Sequence, residues 1–300
     1  MNKKIKSITA FHFDYIPHEE AEEEIQIEGY KTALEEFDNS SNLVKEITFD
    51  ENENIEQVYV YKYNENGKPI EEILYYDSDE VVNRKTYKIN GNGNIEKETI
   101  FYSEEEIDTI AFNYNEENQL TEKVHYNSDN EIETIEKYVY LNNNLIENSM
   151  YDGDNKLTFQ KLFKYDEKNN EIEFESNDLI ENIKFRKEYD YDDEGRRIES
   201  LTYNAKEQLI EKSNYEYNKG NKAIQIIEET AFKKNTIKFS YDERENMICQ
   251  EEYNKNNELI SSIKRVYDEN NLHLETDVII NKIKEGITQH YLTKNEYEFY

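Results

Sequence analysis

A turn phrase recurs along this 300-residue chain, twice in each unit of about 25 residues. The stretch "YDYDDEGRRIESLTYNAKEQLIEKSNYEYNKG" (189–220) contains it three times: an aromatic residue, Asp or Asn, a few polar residues, then Ile, Leu or Ala. The anchor positions before the turns are 24 to 26 residues apart: Phe37, Tyr63, Ile89, Tyr114, Tyr140, Tyr165, Tyr191, Tyr217, Tyr241, Tyr267 and Tyr291. This constancy indicates a repeat array.

Each repeat contains two short extended runs, such as "IEQVYVYKY" (55–63) and "IEKETIFY" (95–102), rich in strand-favouring Ile, Tyr, Val and Thr. The polar runs between them are too short for helical crossovers, so consecutive strands pair antiparallel through hairpins. The predicted fold class is all-β, with tandem antiparallel β-hairpin repeats of about 25 residues. Roughly 22 strands exceed what an open twisted sheet carries without curling. We therefore predict a continuous curled meander in the form of a spiral, trough or shell.

The turn residues explain why the phrase repeats. Asp or Asn directly after the anchor can cap the turn through its side chain. A second, less regular series of anchors lies about halfway between the first: Phe49, Tyr76, Tyr102, Tyr126, Tyr151, Tyr203 and Tyr253. Four residues after an anchor of either series comes Gly or Asn, the residue types that best tolerate positive φ. These predicted positive-φ positions are Gly67, Gly93, Asn118, Asn130, Asn144, Asn155, Asn169, Gly195, Asn221, Asn257, Asn271 and Asn295. Glu occupies the same place at Glu80, Glu106, Glu207 and Glu245, so those loops are predicted to differ.

Residues 1–36 fit the repeat less well and are predicted to form an N-terminal cap, followed by the repeat array at 37–300. The run 6–15 alternates like a strand that covers the first edge of the sheet, and 24–30 also reads as a strand. Residues 17–25 carry Pro and acids suited to a helix start. The final "NEYEFY" is predicted to be the opposite edge strand.

Composition limits the classes of partner. The net charge is -32 and the hydrophobic share is 36%, yet 26 Tyr and 13 Phe argue for a folded chain. Such acidity disfavours nucleic acid and anionic membranes as partners. The first residues lack a continuous apolar signal core, and no stretch approaches the roughly 18 apolar residues of a membrane span. The expected location is cytoplasmic, and the oligomeric state stays open.

Motifs for chemistry are weak. The histidines are scattered, and Cys249, without a companion cysteine, suits a buried inert thiol. "DSDE" (77–80) and "DGDN" (152–155) resemble calcium loops faintly, but each lies where the repeat already places a turn. "INGNGN" (89–94) leads into a strand rather than a helix, so it predicts no phosphate site. We expect no catalytic residue, no metal site and no cofactor.

Tyrosine is the remaining functional signal, because it supplies large contact area at low entropic cost. A structural ladder inside the sheet would explain many of the tyrosines. The candidate partner-binding residues lie two positions before an anchor: Tyr61, Tyr87, Tyr138, Tyr189 and Tyr215.

The stretches "YDYDDEGRRIESLTYNAKEQL" and "YVYKYNENGKPIEEILYYDSDE" resemble the tyrosine–aspartate (YD) repeats of Rhs-type proteins, a likeness that covers roughly residues 37–300. In large Rhs toxins such repeats build a spiral β-sheet shell around a toxic domain. This chain is shorter, has fewer Gly and no Trp, and carries no evident toxin domain after the repeats. MORN-type repeats are similar more loosely. The resemblance implies a binding or encasing surface and transfers no catalytic residue.

These observations favour a non-catalytic protein-binding scaffold. Its most concrete form is an acidic immunity protein that neutralises a basic bacterial toxin, since complementary charge speeds association. Two alternatives stay open: a glycan or cell-wall binding repeat module that uses Tyr platforms, and an adaptor or chaperone for a secreted effector.

Overall fold

The structure is a computed structural model that describes residues 4–17, 24–26, 28–76, 80–282 and 286–300. These ranges fold into strands and turns without a helix, so they include no helical segment able to cross a membrane. The strands are β1 (Ile5–Pro17), β2 (Glu24–Gln26), β3 (Tyr30–Phe37), β4 (Leu43–Phe49), β5 (Ile55–Tyr63), β6 (Pro69–Tyr76), β7 (Glu80–Ile89), β8 (Ile95–Phe101), β9 (Ile107–Tyr114), β10 (Leu120–Tyr126), β11 (Ile132–Leu141), β12 (Asn144–Asp152), β13 (Leu157–Tyr165), β14 (Glu171–Asp178), β15 (Ile183–Tyr191), β16 (Arg197–Asn204), β17 (Leu209–Tyr217), β18 (Ala223–Thr230), β19 (Lys234–Tyr241), β20 (Met247–Tyr253), β21 (Leu259–Tyr267), β22 (His273–Lys282) and β23 (Ile287–Phe299).

All of these strands belong to one sheet, and the chain divides into two compact units. Unit 1 comprises Met1–Val82, Ala223–Gln225 and Lys234–Tyr300, and unit 2 comprises Asn83–Lys222 and Ile226–Lys233. The prediction of antiparallel hairpin repeats is confirmed in both. The sequence-based division at residue 36 stays a prediction.

Unit 2 is an uninterrupted antiparallel meander in which each strand from β7 to β17 pairs with the next. Most of these hairpins show a register shift at the last residues of the incoming strand, as between Asp190 and Tyr191. A bulge of this kind accompanies the longer hairpin loops built on a type I turn and a left-handed residue.

Unit 1 joins the two ends of the chain. β1 pairs with β3 on one side and with β23 on the other, so the ladders run β19–β20–β21–β22–β23–β1–β3–β4–β5–β6. β1 also carries β2 near its end. Because the first and last long strands pair with each other, the sheet is closed. The predicted curled meander in the form of a spiral, trough or shell is therefore wrong, as are the two predicted edge strands.

The closing ladder is long. It extends from Ile5 opposite Phe299 to Tyr15 opposite His290, and the Tyr300 N–H donates to the Lys4 carbonyl at 3.0 Å. Side chains add to it, because the Tyr15 and His290 rings stack with their centroids 4.0 Å apart. Pairing removes the row of unsatisfied backbone groups that each edge would otherwise expose. The helix predicted to start within 17–25 falls mostly on residues 18–23, which lie outside the described ranges.

The turn at Asp166 shows why the sequence folds this way locally. Asp166 Oδ1 accepts the N–H groups of Lys168 and Asn170, each at 2.8 Å, and Oδ2 accepts the Asn170 side-chain amide at 2.8 Å. The Asp166 carbonyl accepts the N–H of Asn169 at 3.1 Å, and Asn169 has a φ of 65°. The predicted Asp or Asn cap is thus confirmed, and it satisfies the loop's backbone donors.

Most of the predicted positive-φ positions are confirmed: Gly67, Gly93, Asn118, Asn130, Asn155, Asn169, Gly195, Asn221, Asn257 and Asn271. The prediction of positive φ at Asn144 is wrong, because Asn142 and Asn143 take positive φ and together form that shorter turn. Asn295 is also wrong, because β23 continues past Tyr291 to Phe299.

The loops at Glu207 and Glu245 do not differ from the others. Glu207 and Glu245 take the left-handed conformation with φ of 57° and 66°, so the local turn overrides their residue type.

Acid should weaken the aspartate-capped turns. The hydrogen bond from the Asn170 side chain, followed by the backbone bonds, holds the pKa of Asp166 below its usual value. A carboxyl with a lowered folded-state pKa contributes stability above its unfolded pKa, near 3.9, and loses it as pH falls through the folded value. We expect Asp166→Asn, which places the residue found at Asn64 and Asn90 in this turn, to be less stable than wild type at pH 7. The two urea midpoints should converge towards pH 2, and a constant difference would contradict this assignment.

The apolar core is thin. The buried apolar side chains of the described residues are Ile47, Val58, Ile100, Val124, Val278 and Leu292. Buried polar residues accompany them: Ser7, Asn148, Ser149, Ser176, Ser200, Thr202, Ser213, Asn235 and Ser262. Backbone ladders and cross-strand side-chain pairs therefore supply the cohesion that a conventional core provides elsewhere.

Candidate binding site on the tyrosine face

The anchor tyrosines hold successive hairpins together. The Tyr191 hydroxyl donates to the Glu171 carbonyl at 2.6 Å, and the Tyr217 hydroxyl donates to the Arg197 carbonyl at 2.7 Å. The same bond joins further anchors to carbonyls of an earlier strand: Tyr63 to Leu43, Tyr114 to Ile95, Tyr165 to Leu145, Tyr241 to Ala223 and Tyr267 to Met247. These tyrosines are structural, which separates them from the candidates two positions earlier.

Strand register brings four of the five candidates to one face of unit 2. Directly opposed residues share a face, and so do residues two apart along a strand. The register path from one candidate to the next runs Tyr87, Glu98, Ile110, His125, Thr134, Tyr138, Asn148, Lys161, Ser176, Phe185, Tyr189, Ser200, Ser213 and Tyr215. We call this surface, defined by Tyr87, Tyr138, Tyr189 and Tyr215, the tyrosine face. All four side chains are half-buried.

Tyr189 makes a close contact with a cation on this face. The Arg197 guanidinium carbon lies 3.7 Å from the centroid of the Tyr189 ring, within cation–π range. Arg197 Nη2 also approaches the Tyr191 hydroxyl at 3.4 Å. Burial raises the pKa of Tyr189, and the charges of Glu171 and Tyr215 act in the same direction against that of Arg197. The phenol therefore stays neutral and can donate a hydrogen bond.

Tyr138 has a similar setting four strands earlier. Lys123 Nζ lies 5.7 Å from its ring centroid and pairs with Glu136 at 3.3 Å. Burial is the main cause of the raised pKa of Tyr138. Burial also acts to raise the pKa of Glu136, but hydrogen bonds from Asn148 and Tyr138 and the charge of Lys123 outweigh it and lower that pKa. The neutral ring of Tyr138 thus lies beside an ionised carboxylate, that of Glu136.

An open groove of about 380 Å³ adjoins Tyr138. It is lined by Asn115, Glu117, Gln119, Thr121, Tyr138, Val139, Tyr140, Asn142 and Asn143. The short Asn142–Asn143 turn joins β11 and β12, with Leu141 opposite Asn144. Within the described ranges the Tyr140 hydroxyl makes no bond to an earlier carbonyl, unlike most anchors, and this tyrosine lines the groove instead.

Tyr61, the fifth candidate, lies in unit 1 and is half-buried. Its ring stacks with that of Tyr59, with centroids 6.3 Å apart, and its hydroxyl donates to Glu46 Oε2 at 3.4 Å. Burial, and then Glu46 and Glu72, raise the pKa of Tyr61. It repeats the pairing of tyrosine with carboxylate but is no part of the tyrosine face.

The sequence reasoning missed Arg197, Glu171, Lys123 and Glu136. Arg197, Glu171 and Lys123 come next to a candidate tyrosine only through the pairing of neighbouring strands, whereas Glu136 lies two residues before Tyr138 on the same strand. A signal existed for Arg197, because it follows the turn after Tyr191, in the position where the phrase returns to an extended run.

The other residues considered for chemistry have structural settings where the structure describes them. Asp152 caps the turn at "DGDN" by accepting the N–H groups of Asp154 and Lys156, as in the other turns. Residues 77–79 of "DSDE" lie outside the described ranges. Cys249 is half-buried, and burial raises the pKa of its thiol, which disfavours the reactive thiolate.

Comparison with known proteins finds a family model and several solved structures. A family model described as "Uncharacterised protein" matches residues 188–299, and no curated protein matches the chain. The chain is similar to part of a solved TcdB2-TccC3 structure at 9% identity and a TM-score of 0.33, covering 96% of this chain and 20% of that one. The chain thus spans about a fifth of that protein's length.

Porin-like proteins of two Bacteroides species are similar over their whole length. The Bacteroides uniformis protein has 8% identity and a TM-score of 0.33, with 98% of each chain covered. The Bacteroides vulgatus protein has 12% identity and a TM-score of 0.28, with 99% of each chain covered. At TM-scores this low, none of these similarities carries an argument about this chain.

Proposed function

We propose that this chain is a non-catalytic, YD-type repeat scaffold that binds a basic protein through the tyrosine face. Its most concrete form is an immunity protein that neutralises a basic bacterial toxin. The supporting observation is the alignment of Tyr87, Tyr138, Tyr189 and Tyr215 on one face, each half-buried. A half-buried tyrosine offers a rigid contact area to a partner, because part of its side chain stays exposed.

The surroundings of these rings suit lysine and arginine side chains of a partner. Tyr138 lies beside Glu136, and Tyr189 lies near Glu171. A cation held over an aromatic ring next to a carboxylate gains a cation–π contact and an ion pair together. The chain's own Lys123 already uses this mode, and Arg197 makes the cation–π contact with Tyr189.

The net charge of -32 adds a long-range contribution. It should accelerate encounter with a basic partner, while the tyrosines set how long the complex lasts. The two roles are separable, because salt screens exposed charges over about a Debye length but leaves packed aromatic contacts largely unchanged.

The test begins by recovering the partner from the producing cells with tagged wild-type chain and measuring its affinity as a purified protein. We expect Tyr189→Ala to raise Kd by roughly 30-fold, mainly through faster dissociation. Tyr203→Ala is the matched control, since Tyr203 lies opposite Arg186 on the other face of the same strands. Raising salt should slow association. Equal losses in both variants, or an acidic partner, would overturn the proposal. A toxin partner must also cease to kill cells that co-express this chain.

The groove at Tyr138 favours the glycan-binding alternative as a second candidate. Tyrosine rings flanked by asparagine and glutamine amides suit the apolar faces and hydroxyls of a sugar. If no protein is recovered and a glycan array shows binding that Tyr138→Ala abolishes, the glycan module replaces the protein scaffold.

A further inference from the structure

Two histidines of unit 1 have ordinary structural settings. His12 Nε2 lies 3.1 Å from Asp14 Oδ1, and the His12 ring stacks on that of Tyr291, with centroids 5.0 Å apart. His273 Nε2 lies 3.0 Å from the Glu275 carbonyl and 2.7 Å from the Thr276 hydroxyl. Hydrogen bonds and ring contacts account for both side chains.

His125 on the tyrosine face differs, because a carboxylate faces each of its ring nitrogens. Its Nε2 lies 3.2 Å from Asp108 Oδ2, and its Nδ1 lies 3.0 Å from Glu133 Oε2. The exposed fractions of the side chains are 15% for Asp108, 24% for His125 and 53% for Glu133. A neutral imidazole has only one N–H, so it cannot donate to both carboxylates.

The two carboxylates also lack a neutralising side chain. Among the described residues neither Asp108 nor Glu133 forms an ion pair with lysine or arginine, although many other acids of the sheet do, as Glu136 does with Lys123. Ser128 donates its hydroxyl to Asp108 Oδ1 at 3.3 Å and so orients that carboxylate. Two carboxylates therefore converge on one imidazole without a cation to balance them.

We propose that Asp108, His125 and Glu133 bind a divalent transition-metal cation, with Zn²⁺ as the reference ion. Ligand atoms of the three side chains all lie within 4.8 Å of one another. This proposal does not depend on the proposed protein binding, because it concerns only these three side chains and the metal ion.

The geometry fits such an ion with a small adjustment. Zn²⁺ bonds to nitrogen and oxygen of about 2.0–2.2 Å in a tetrahedron place neighbouring ligand atoms about 3.3–3.6 Å apart. The separation of His125 Nε2 from Asp108 Oδ2, 3.2 Å, is close to that spacing, whereas Glu133 faces the other ring nitrogen, Nδ1. One ring nitrogen coordinates the ion beside Asp108, and the half-exposed Glu133 rotates to supply the third ligand. Water completes the shell.

The donor set also sets the selectivity. An imidazole with two carboxylates suits Zn²⁺, Mn²⁺ or Ni²⁺, whereas Ca²⁺ and Mg²⁺ prefer sites made of oxygen alone. A selective site is thereby distinguished from loose attraction of cations to an acidic protein.

The test is calorimetric titration of the full chain with Zn²⁺ in about 150 mM NaCl and excess Mg²⁺, which screen loose binding. We expect one ion per chain and a loss of at least about tenfold in affinity for His125→Gln, with weaker binding also for Asp108→Asn and Glu133→Gln. His12→Gln is the matched control, because His12 faces a single carboxylate, and its affinity should equal that of wild type.

Circular dichroism checks that each variant folds. NMR of the wild-type chain gives an independent readout, since Zn²⁺ must shift the His125 imidazole signals at one equivalent. Unshifted His125 signals at saturating Zn²⁺, or a His12→Gln loss as large as that of His125→Gln, would overturn the proposal.

Discussion

Proline at Thr9 is expected to lower the free energy of unfolding by about 3 kcal/mol or more. Thr9 lies in β1 opposite Leu34 of β3 and opposite Glu296 of β23. In a strand paired on both sides every N–H points to a partner, so proline at any inner position removes a ladder bond and crowds the neighbouring strand. Urea unfolding followed by far-ultraviolet circular dichroism measures the loss.

Glu65→Pro is the matched control for this substitution. Glu65 follows Asn64 in a turn closed by the Gly67 N–H to the Asn64 carbonyl at 3.0 Å, and proline is favoured at the second position of such turns. We expect a change within about 0.5 kcal/mol. If Thr9→Pro were as mild as Glu65→Pro, β1 would be an edge strand and the sheet would be open.

Gly195→Val is expected to cost about 1–3 kcal/mol, because valine is strained at positive φ. Gly195 has a φ of 77°, and a Cβ added there would lie 3.5 Å from Asn170 Oδ1, which is ordinary contact. The backbone conformation, rather than lack of space, is therefore the cause. Thermal or urea unfolding gives the difference from wild type.

Gly91→Val provides the comparison within the same type of hairpin. Gly91 comes directly after the turn-capping Asn90, has no positive φ, and a Cβ there meets no atom within 4 Å. We expect little change or a slight gain, since valine restricts the unfolded chain. Similar costs at Gly91 and Gly195 would show that β-branching in the loop, and not positive φ, governs stability.

Turn positions could be predicted from the sequence because their causes are local. The cap at Asp166 and the left-handed Asn169 lie within four residues of each other, so the interacting residues can be recognised as neighbours in the sequence. Glu207 shows the limit of this reasoning. The shared hairpin geometry imposes positive φ on a residue whose type argues against it, and its Arg186 contact at 2.7 Å is nonlocal.

Closure could not be predicted, because it joins strands at opposite ends of the chain. β1 lacks the repeated turn phrase, and the anchor at Tyr291 marks no turn because β23 continues through it, so their alternation fits an edge strand as well as a central one. The candidate site likewise has one part that the sequence predicts and one part that it does not. The shared face of Tyr138 and Tyr189 follows from equal repeat positions and the twofold alternation of strands, whereas Arg197 and the His125 group depend on which residues register places side by side.

The antiparallel pairing of β1 with β23 imposes a parity rule on how such a chain can change its length. Strand direction alternates around a meander, so first and last strands meet antiparallel only when the ring holds an even number. An insertion of one strand would reverse the last strand and leave it unable to meet β1 in this register. A repeat of two strands preserves the alternation. Such a protein can therefore gain or lose strands only as whole hairpins. One repeat of two strands is the smallest change in its length that keeps the closing pair antiparallel.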